Sequence, residues 1–193
     1  MSRLLFCAGM ALAIATGLAS AAPAHCQTAY VPMSNGTVVT IDTTNFTVGS
    51  LKTTVAFGAA MAVTPDGSTL YAATTGSAVA AINAVTGDLS ATIPVDRQVG
   101  GIAITPDGPK AYVANAGTFA SPGNTVSVID TTTNTIAATI TVGNDPIGIA
   151  ITPDGRTVYV VNAFDNTISV IDAATGRWAA DHHWTVQRDQ PIA

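Results

Sequence analysis

The sequence predicts an all-β fold built from tandem units of four short antiparallel strands, and three observations carry that expectation. A Thr-Pro-Asp-Gly turn occurs three times, at 64–67, 105–108 and 152–155. A Tyr stands seven residues after each of those Thr residues, at Tyr71, Tyr112 and Tyr159. An Ile-Asp or Ile-Asn step recurs at Ile41, Ile82, Ile129 and Ile171, giving spacings of 41, 47 and 42 residues. Self-similarity at such a period marks a repeat architecture in which each repeat is one supersecondary unit.

Composition agrees. Of the 193 residues, 48% are hydrophobic and 10% charged, which is enough apolar surface for a core and excludes a disordered chain. All twelve acidic residues are Asp, with no Glu, and Lys and Arg number seven. Thr, Val and Ile suit strands, whereas Asp and Gly suit turns. The net charge is −5, and there is no basic stripe to follow a phosphate backbone or an anionic membrane. Nucleic acid is therefore not an expected partner.

Residues 1–24 read as a secretory leader. Arg3 supplies the positive start, 4–18 is an apolar run, and Ala19-Ser20-Ala21, Ser20-Ala21-Ala22 and Ala22-Pro23-Ala24 offer small-residue cleavage sites. The run is short for a membrane span, which needs about 20 residues. An uncleaved anchor is the alternative; cleavage would leave no stable span. Loss of the leader removes Cys7 and leaves Cys26 alone, so no internal disulfide is expected. Localisation follows: periplasm, cell surface or secreted.

The unit that begins at Gly101 shows the four strands. Gly101 to Thr105 is the first, closed by Pro106-Asp107-Gly108, where Pro sets φ, Asp bonds backbone and Gly accepts positive φ. Lys110 to Asn115, Thr125 to Asp130 and Thr135 to Val142 follow, each β-branched and bounded by turn residues. The odd spacing of 47 is explained by an insertion, Gly117 to Gly123, between the second and third strands. The first strand carries Ala62, Ala103 or Ala150 at its centre, and Ala60, Gly101 or Gly148 two residues earlier. Small side chains on one face suit sheets that crowd around an axis, which is the arrangement of a β-propeller. A sandwich would not require three in-register repeats. A solenoid coil is usually shorter and lacks three tight reversals per unit.

The strings Tyr-Val-Ala-Asn at 112–115 and Tyr-Val-Val-Asn at 159–162, followed by Thr-Val-Ser-Val-Ile-Asp and Thr-Ile-Ser-Val-Ile-Asp, resemble the YVTN family of β-propeller repeats. The resemblance covers about residues 29–177 and implies a fold rather than a function. The chain enters at Ala29-Tyr30-Val31, which matches a second strand, and leaves the pattern at Arg177. The expected tally is three, four, four and three strands, about 3.5 blades of an incomplete ring in residues 25–177. Residues 178–193, with Trp178, His182, His183 and Trp184, read as an off-pattern tail. An incomplete ring exposes blade faces and leaves self-association through them open; a fragment of a longer propeller is the favoured reading.

No catalytic, cofactor-binding or metal-binding set is expected. Adjacent His182 and His183 point to opposite faces of a strand and rarely share an ion. Asp66, Asp107 and Asp154 follow Pro in turns, and Asp42, Asp130 and Asp172 end third strands, where they can bond the NH groups of Thr-rich turns. Asn115 and Asn162 are expected to bond loop backbone. There is no nucleophile elbow and no phosphate-binding Gly-rich loop before a helix. The resemblance extends to metal-dependent lactonases and haem-binding nitrite reductase domains. The first would want a Glu ligand and the second an axial His within the blades, and the repeats contain neither.

Propellers present the loops from fourth to first and from second to third strands on one face. Those loops hold Asp96, Arg97 and Gln98; Asn144 and Asp145; Phe164 and Asp165; and the insertion with Phe119. Loops on a rigid scaffold often carry function. These residues are the candidate contact site of a non-catalytic module for protein or glycan ligands. The alternative is an enzyme or cofactor-binding propeller whose active residues lie in other blades.

Overall fold

The computed structural model describes the backbone of residues 13–14, 28–175 and 177–182, and the side chains of 28–175 except residue 59. Among these residues every regular element is a strand. The first sheet holds β1 (Ala13–Ile14), β2 (Thr28–Pro32), β3 (Thr37–Asp42) and β4 (Val48–Lys52), and the second β5 (Phe57–Val63), β6 (Thr69–Thr74), β7 (Ala78–Asn83) and β8 (Leu89–Pro94). The third holds β9 (Val99–Ile104), β10 (Lys110–Thr118), β11 (Ser121–Asp130) and β12 (Thr135–Thr141), and the fourth β13 (Pro146–Ile151), β14 (Thr157–Asn162), β15 (Thr167–Asp172) and β16 (Arg177–His182). Each sheet is an antiparallel meander in chain order, so each is a propeller blade.

Local chemistry fixes both turns of a blade on one side of the molecule. In the Thr-Pro-Asp-Gly turns, the Gly67 N–H donates to the Thr64 carbonyl at 2.8 Å, and Gly108 and Gly155 repeat the bond at 2.9 and 2.8 Å. Gly67 has φ of 72°, which glycine adopts without a Cβ penalty. Successive turns touch: a Cβ on Gly155 would lie 3.3 Å from Pro106 Cδ. At the turns after third strands, the Asp130 carboxylate accepts from the Thr132 N–H at 2.8 Å and the Thr133 N–H at 3.2 Å, and Asp42 and Asp172 act alike. Thr hydroxyls and backbone NH groups hold the carboxyls of Asp42 and Asp130 below the ordinary Asp range; backbone and then side-chain bonds to Thr175 do so for Asp172.

Blades pack through three separate cores. One joins the first two blades through Tyr30, Val38, Met61, Leu70 and Ile82. The next joins the second and third through Tyr71, Val79, Ile93, Val113 and Ile129. The last joins the third and fourth through Tyr112, Val126, Val158, Val160 and Ile171. In each case strand alternation sends one residue forward and the next backward, so Tyr112 faces the fourth blade while Ala111 and Val113 face the second. The small face of the first strand receives bulk from the following blade: a Cβ on Gly101 would lie 3.2 Å from Ile149 Cγ2 and 3.2 Å from the Ile147 carbonyl oxygen. Inner strands pack in chain order, β1 on β5, β5 on β9 and β9 on β13, and the first and fourth blades share no comparable packing among the described residues. The blades form an open arc.

Two boundaries differ from the sequence reading. The tally of fourteen strands becomes sixteen. Backbone within the segment read as leader pairs with the first blade, Ala13 opposite Tyr30 and Ile14 opposite Ala29. The segment read as an off-pattern tail supplies a fourth strand through His182, with Ile168 opposite His182 and Ile171 opposite Trp178. Main-chain pairing needs an extended partner with free NH and CO groups, not the repeat's own residues. The cleavage sites, Cys7, Cys26 and residues 183–193 lie outside the described residues.

Candidate functional site

The candidate loops all lie on the end of the arc opposite the Asp-rich turns, and hydrogen bonds knit them into one rim. The insertion is not a loop. It lengthens β10 and β11 into a hairpin with Gly117 opposite Pro122 and Thr118 opposite Ser121, after a bulge beyond Asn115. Gly117 takes φ of 81° at the bulge, and a Cβ on Gly123 would overlap the Asn115 carbonyl. Glycine at both ends lets the insertion continue the ladder, so Phe119 and Ala120 form its two-residue tip.

This hairpin bridges its neighbours. On the second-blade side the Gly117 N–H donates to the Gln98 carbonyl at 3.0 Å, and Arg97 Nη1 donates to Ser121 Oγ at 2.7 Å. Asp96 lies 3.7 Å from Arg97 Nε, an exposed pair of little energetic weight. On the fourth-blade side the Asp145 N–H donates to the Gly123 carbonyl at 2.8 Å. At the tip Phe119 meets Phe164 edge to face, with ring centroids 5.5 Å apart and planes at 78°. Phe119 is 89% exposed and Phe164 42%.

The loops beside Phe164 are held by a carboxylate. Asp165 accepts from the Asn144 N–H at 2.7 Å and from Asn144 Nδ2 at 3.1 Å. The Ala163 N–H donates to the Asp145 carbonyl at 2.9 Å. A Cβ on Gly143 would lie 2.6 Å from Asn162 Nδ2 and 2.8 Å from Asp165 Oδ2, so only glycine fits. Asp145 and Asn166 both have positive φ, at 56° and 52°, residue types that tolerate that region. All eight candidate residues therefore stand on one rim over the second, third and fourth blades.

Asn115 and Asn162 differ from their expected role. Their Nδ2 groups donate to hydroxyls of the neighbouring third strand, not to loop backbone: Asn115 to Thr125 at 3.0 Å and Ser127 at 2.9 Å, and Asn162 to Thr167 at 3.0 Å and Ser169 at 2.9 Å. Their Oδ1 atoms are buried without a protein partner. Ser127 and Ser169, polar positions in otherwise apolar strands, were the sequence signal for this pairing. Among the described residues no group of three His, Cys, Asp or Glu stands close enough to hold a metal ion. Nor is any helix there long and apolar enough to cross a membrane.

The fold defines the class: an all-β protein of propeller-like blades with a rim built from their loops. No family model and no curated protein matches the sequence. Among solved structures 1207 chains match, so the architecture is widely shared and specifies no single activity. One is hydrazine synthase of Kuenenia stuttgartiensis, at 28% identity and a TM-score of 0.70, over 80% of this chain and 45% of that one. The chain thus spans less than half the length of that neighbour.

Proposed function

We propose that this chain is an exported repeat protein of the YVTN type, working in the periplasm or at the cell surface as a non-catalytic binding module for a protein or glycan. The exposed Phe119–Phe164 pair carries the reading. Phe119 at the tip of a hydrogen-bonded hairpin meets Phe164 of the loop between β14 and β15, on the same rim as the Asn144–Asp165 and Arg97–Ser121 hydrogen bonds. Apolar rings bordered by a few fixed polar groups suit recognition of a sugar ring or a peptide side chain. The rigid scaffold keeps the cost of ordering the site low.

A glycan array probed with the full chain tests it. Saturable binding that Phe119→Ala and Phe164→Ala each weaken about tenfold or more, with circular dichroism unchanged, is expected. Binding indifferent to both substitutions would move the site elsewhere.

A second reading is a piece of a longer propeller enzyme or cofactor-binding protein. It is favoured by a match to an enzyme-named chain that takes up 45% of that chain. It requires further blades encoded beside this sequence, and sequencing of the flanking DNA checks it.

A further inference from the structure

The first strand of each later blade alternates small and large residues in one frame: Ala60-Met61-Ala62-Val63, Gly101-Ile102-Ala103-Ile104 and Gly148-Ile149-Ala150-Ile151. Their pairing follows the same frame. The central Ala stands opposite the second-strand Tyr, Ala62 with Tyr71, Ala103 with Tyr112 and Ala150 with Tyr159. The large residue after it stands opposite Leu70, Ala111 or Val158. That large residue packs into the core shared with the preceding blade, as Val63, Ile104 and Ile151 do.

The chain carries this frame a fourth time, inside the apolar run read as a leader: Ala11-Leu12-Ala13-Ile14. The structure describes its last two residues, and they pair with β2 in that frame, Ala13 opposite Tyr30 and Ile14 opposite Ala29. A slip of one residue would exchange the small and large sides, so sequence and register agree on one pairing. β2 is itself built as an interior strand. It is covered on one side by β3, and Ala29, Tyr30 and Val31 are all buried. Without a strand on its other side, β2 would present an edge of unpaired NH and CO groups.

We infer that Ala11 to Ile14 is the inner strand of the first blade, and that the inner edge of β2 is a strand-accepting site selective for an extended apolar segment of small–large–small–large sequence. The chain's own segment is its occupant. Strand addition of this kind takes affinity from main-chain bonds and selectivity from alternate side chains. The candidate cleavage sites at 19–24 fall between β1 and β2. A cut there removes the covalent link and leaves the strand held by its pairing with β2 and its packing on β5. Nothing in this pairing depends on a ligand at the rim.

The full chain with residues 19–24 replaced by a site-specific protease sequence tests it. After the cut, the N-terminal piece should co-elute with the remainder in size-exclusion chromatography. Ala13→Arg, opposite Tyr30, and Ile14→Asp should each weaken its retention about tenfold or more. Leu5→Asp, in the same apolar run but outside the alternating frame, should leave retention unchanged. In the uncut chain the amides of Ala13 and Ile14 should exchange slowly with solvent, and faster in Ile14→Asp. A piece that separates from the wild-type remainder would overturn the inference, as would fast exchange at both amides. Retention indifferent to Ala13→Arg and Ile14→Asp would also overturn it, since it signals non-specific adhesion of an apolar peptide. So would a loss with Leu5→Asp as large as with Ile14→Asp.

Discussion

Tyr112 and Tyr159 occupy the same place in nearly the same words, Tyr-Val-Ala-Asn and Tyr-Val-Val-Asn, yet one is 1% exposed and the other 44%. Their strands, turns and Asn-hydroxyl pairs match. The difference is the presence of a following blade. In a repeat array a residue's burial is set by its neighbour as much as by its own unit. Burial raises the Tyr112 phenol above its ordinary range, with Asp172 and Asp107 adding to the effect, and burial and then Asp130 do the same for Tyr71.

Truncation should expose the contrast most strongly. Tyr112→Ala is expected to cost about 3–5 kcal/mol, the range for deleting a large buried aromatic. Tyr159→Ala should cost under about 1 kcal/mol when single chains are unfolded in urea at low concentration. Equal losses would mean that the end face is covered in the isolated chain.

Glycine gives the next largest difference. Gly101→Val drives a branched side chain into Ile149 and the Ile147 carbonyl and should cost about 1–3 kcal/mol by urea unfolding. Gly148→Val, which meets only ordinary contact with Val161, should stay within about 0.5 kcal/mol of wild type. Removing a single hydroxyl refines the comparison further. Tyr71→Phe should lose about 1 kcal/mol with its bond to Asn134, and Tyr159→Phe should be silent in the same assay.

The turns differ among blades in a way that predicts a gain. Phe46 holds φ of 58° where the equivalent position is Gly87 in the second blade and Asn134 in the third. Phe46 is exposed and gains no packing in return. Phe46→Asn should stabilise the chain by about 0.5–1 kcal/mol, read as a higher melting temperature.

The smallest effect concerns acid. Asp42, Asp130, Asp154 and Asp172 all have lowered carboxyl pKa values. A lowered acid contributes stability above its unfolded pKa, about 3.9, and loses that contribution as pH falls through the folded value. Stability should therefore be flat from neutral to about pH 5 and decline below about pH 4. Asp130→Asn should flatten that decline, as measured by melting temperature against pH.

Much of this was legible in the residues. Turn chemistry is local, so the Thr-Pro-Asp-Gly turns, the Asp-capped Thr turns and the strands between them followed from side chains two or three positions apart. Strand parity sends alternate connections to opposite ends, so the rim loops share the end of the arc opposite the Asp-rich turns. The insertion was not legible as a hairpin, since its extension of the ladder depends on Gly123 lying against the Asn115 carbonyl. Asn115 was assigned to loop backbone because the registry that brings it to Ser127 is a cross-strand fact.

By itself the sequence determined the period, the blade's four strands, the turn types and the end on which the variable loops would stand, because each depends on contacts within one repeat. Only the tertiary structure decided that Phe119 reaches Phe164, that Arg97 reaches Ser121, and that identical faces are closed at Tyr71 and Tyr112 but open at Tyr159. Those outcomes join different blades, and a pattern confined to one repeat does not specify what stands beside it.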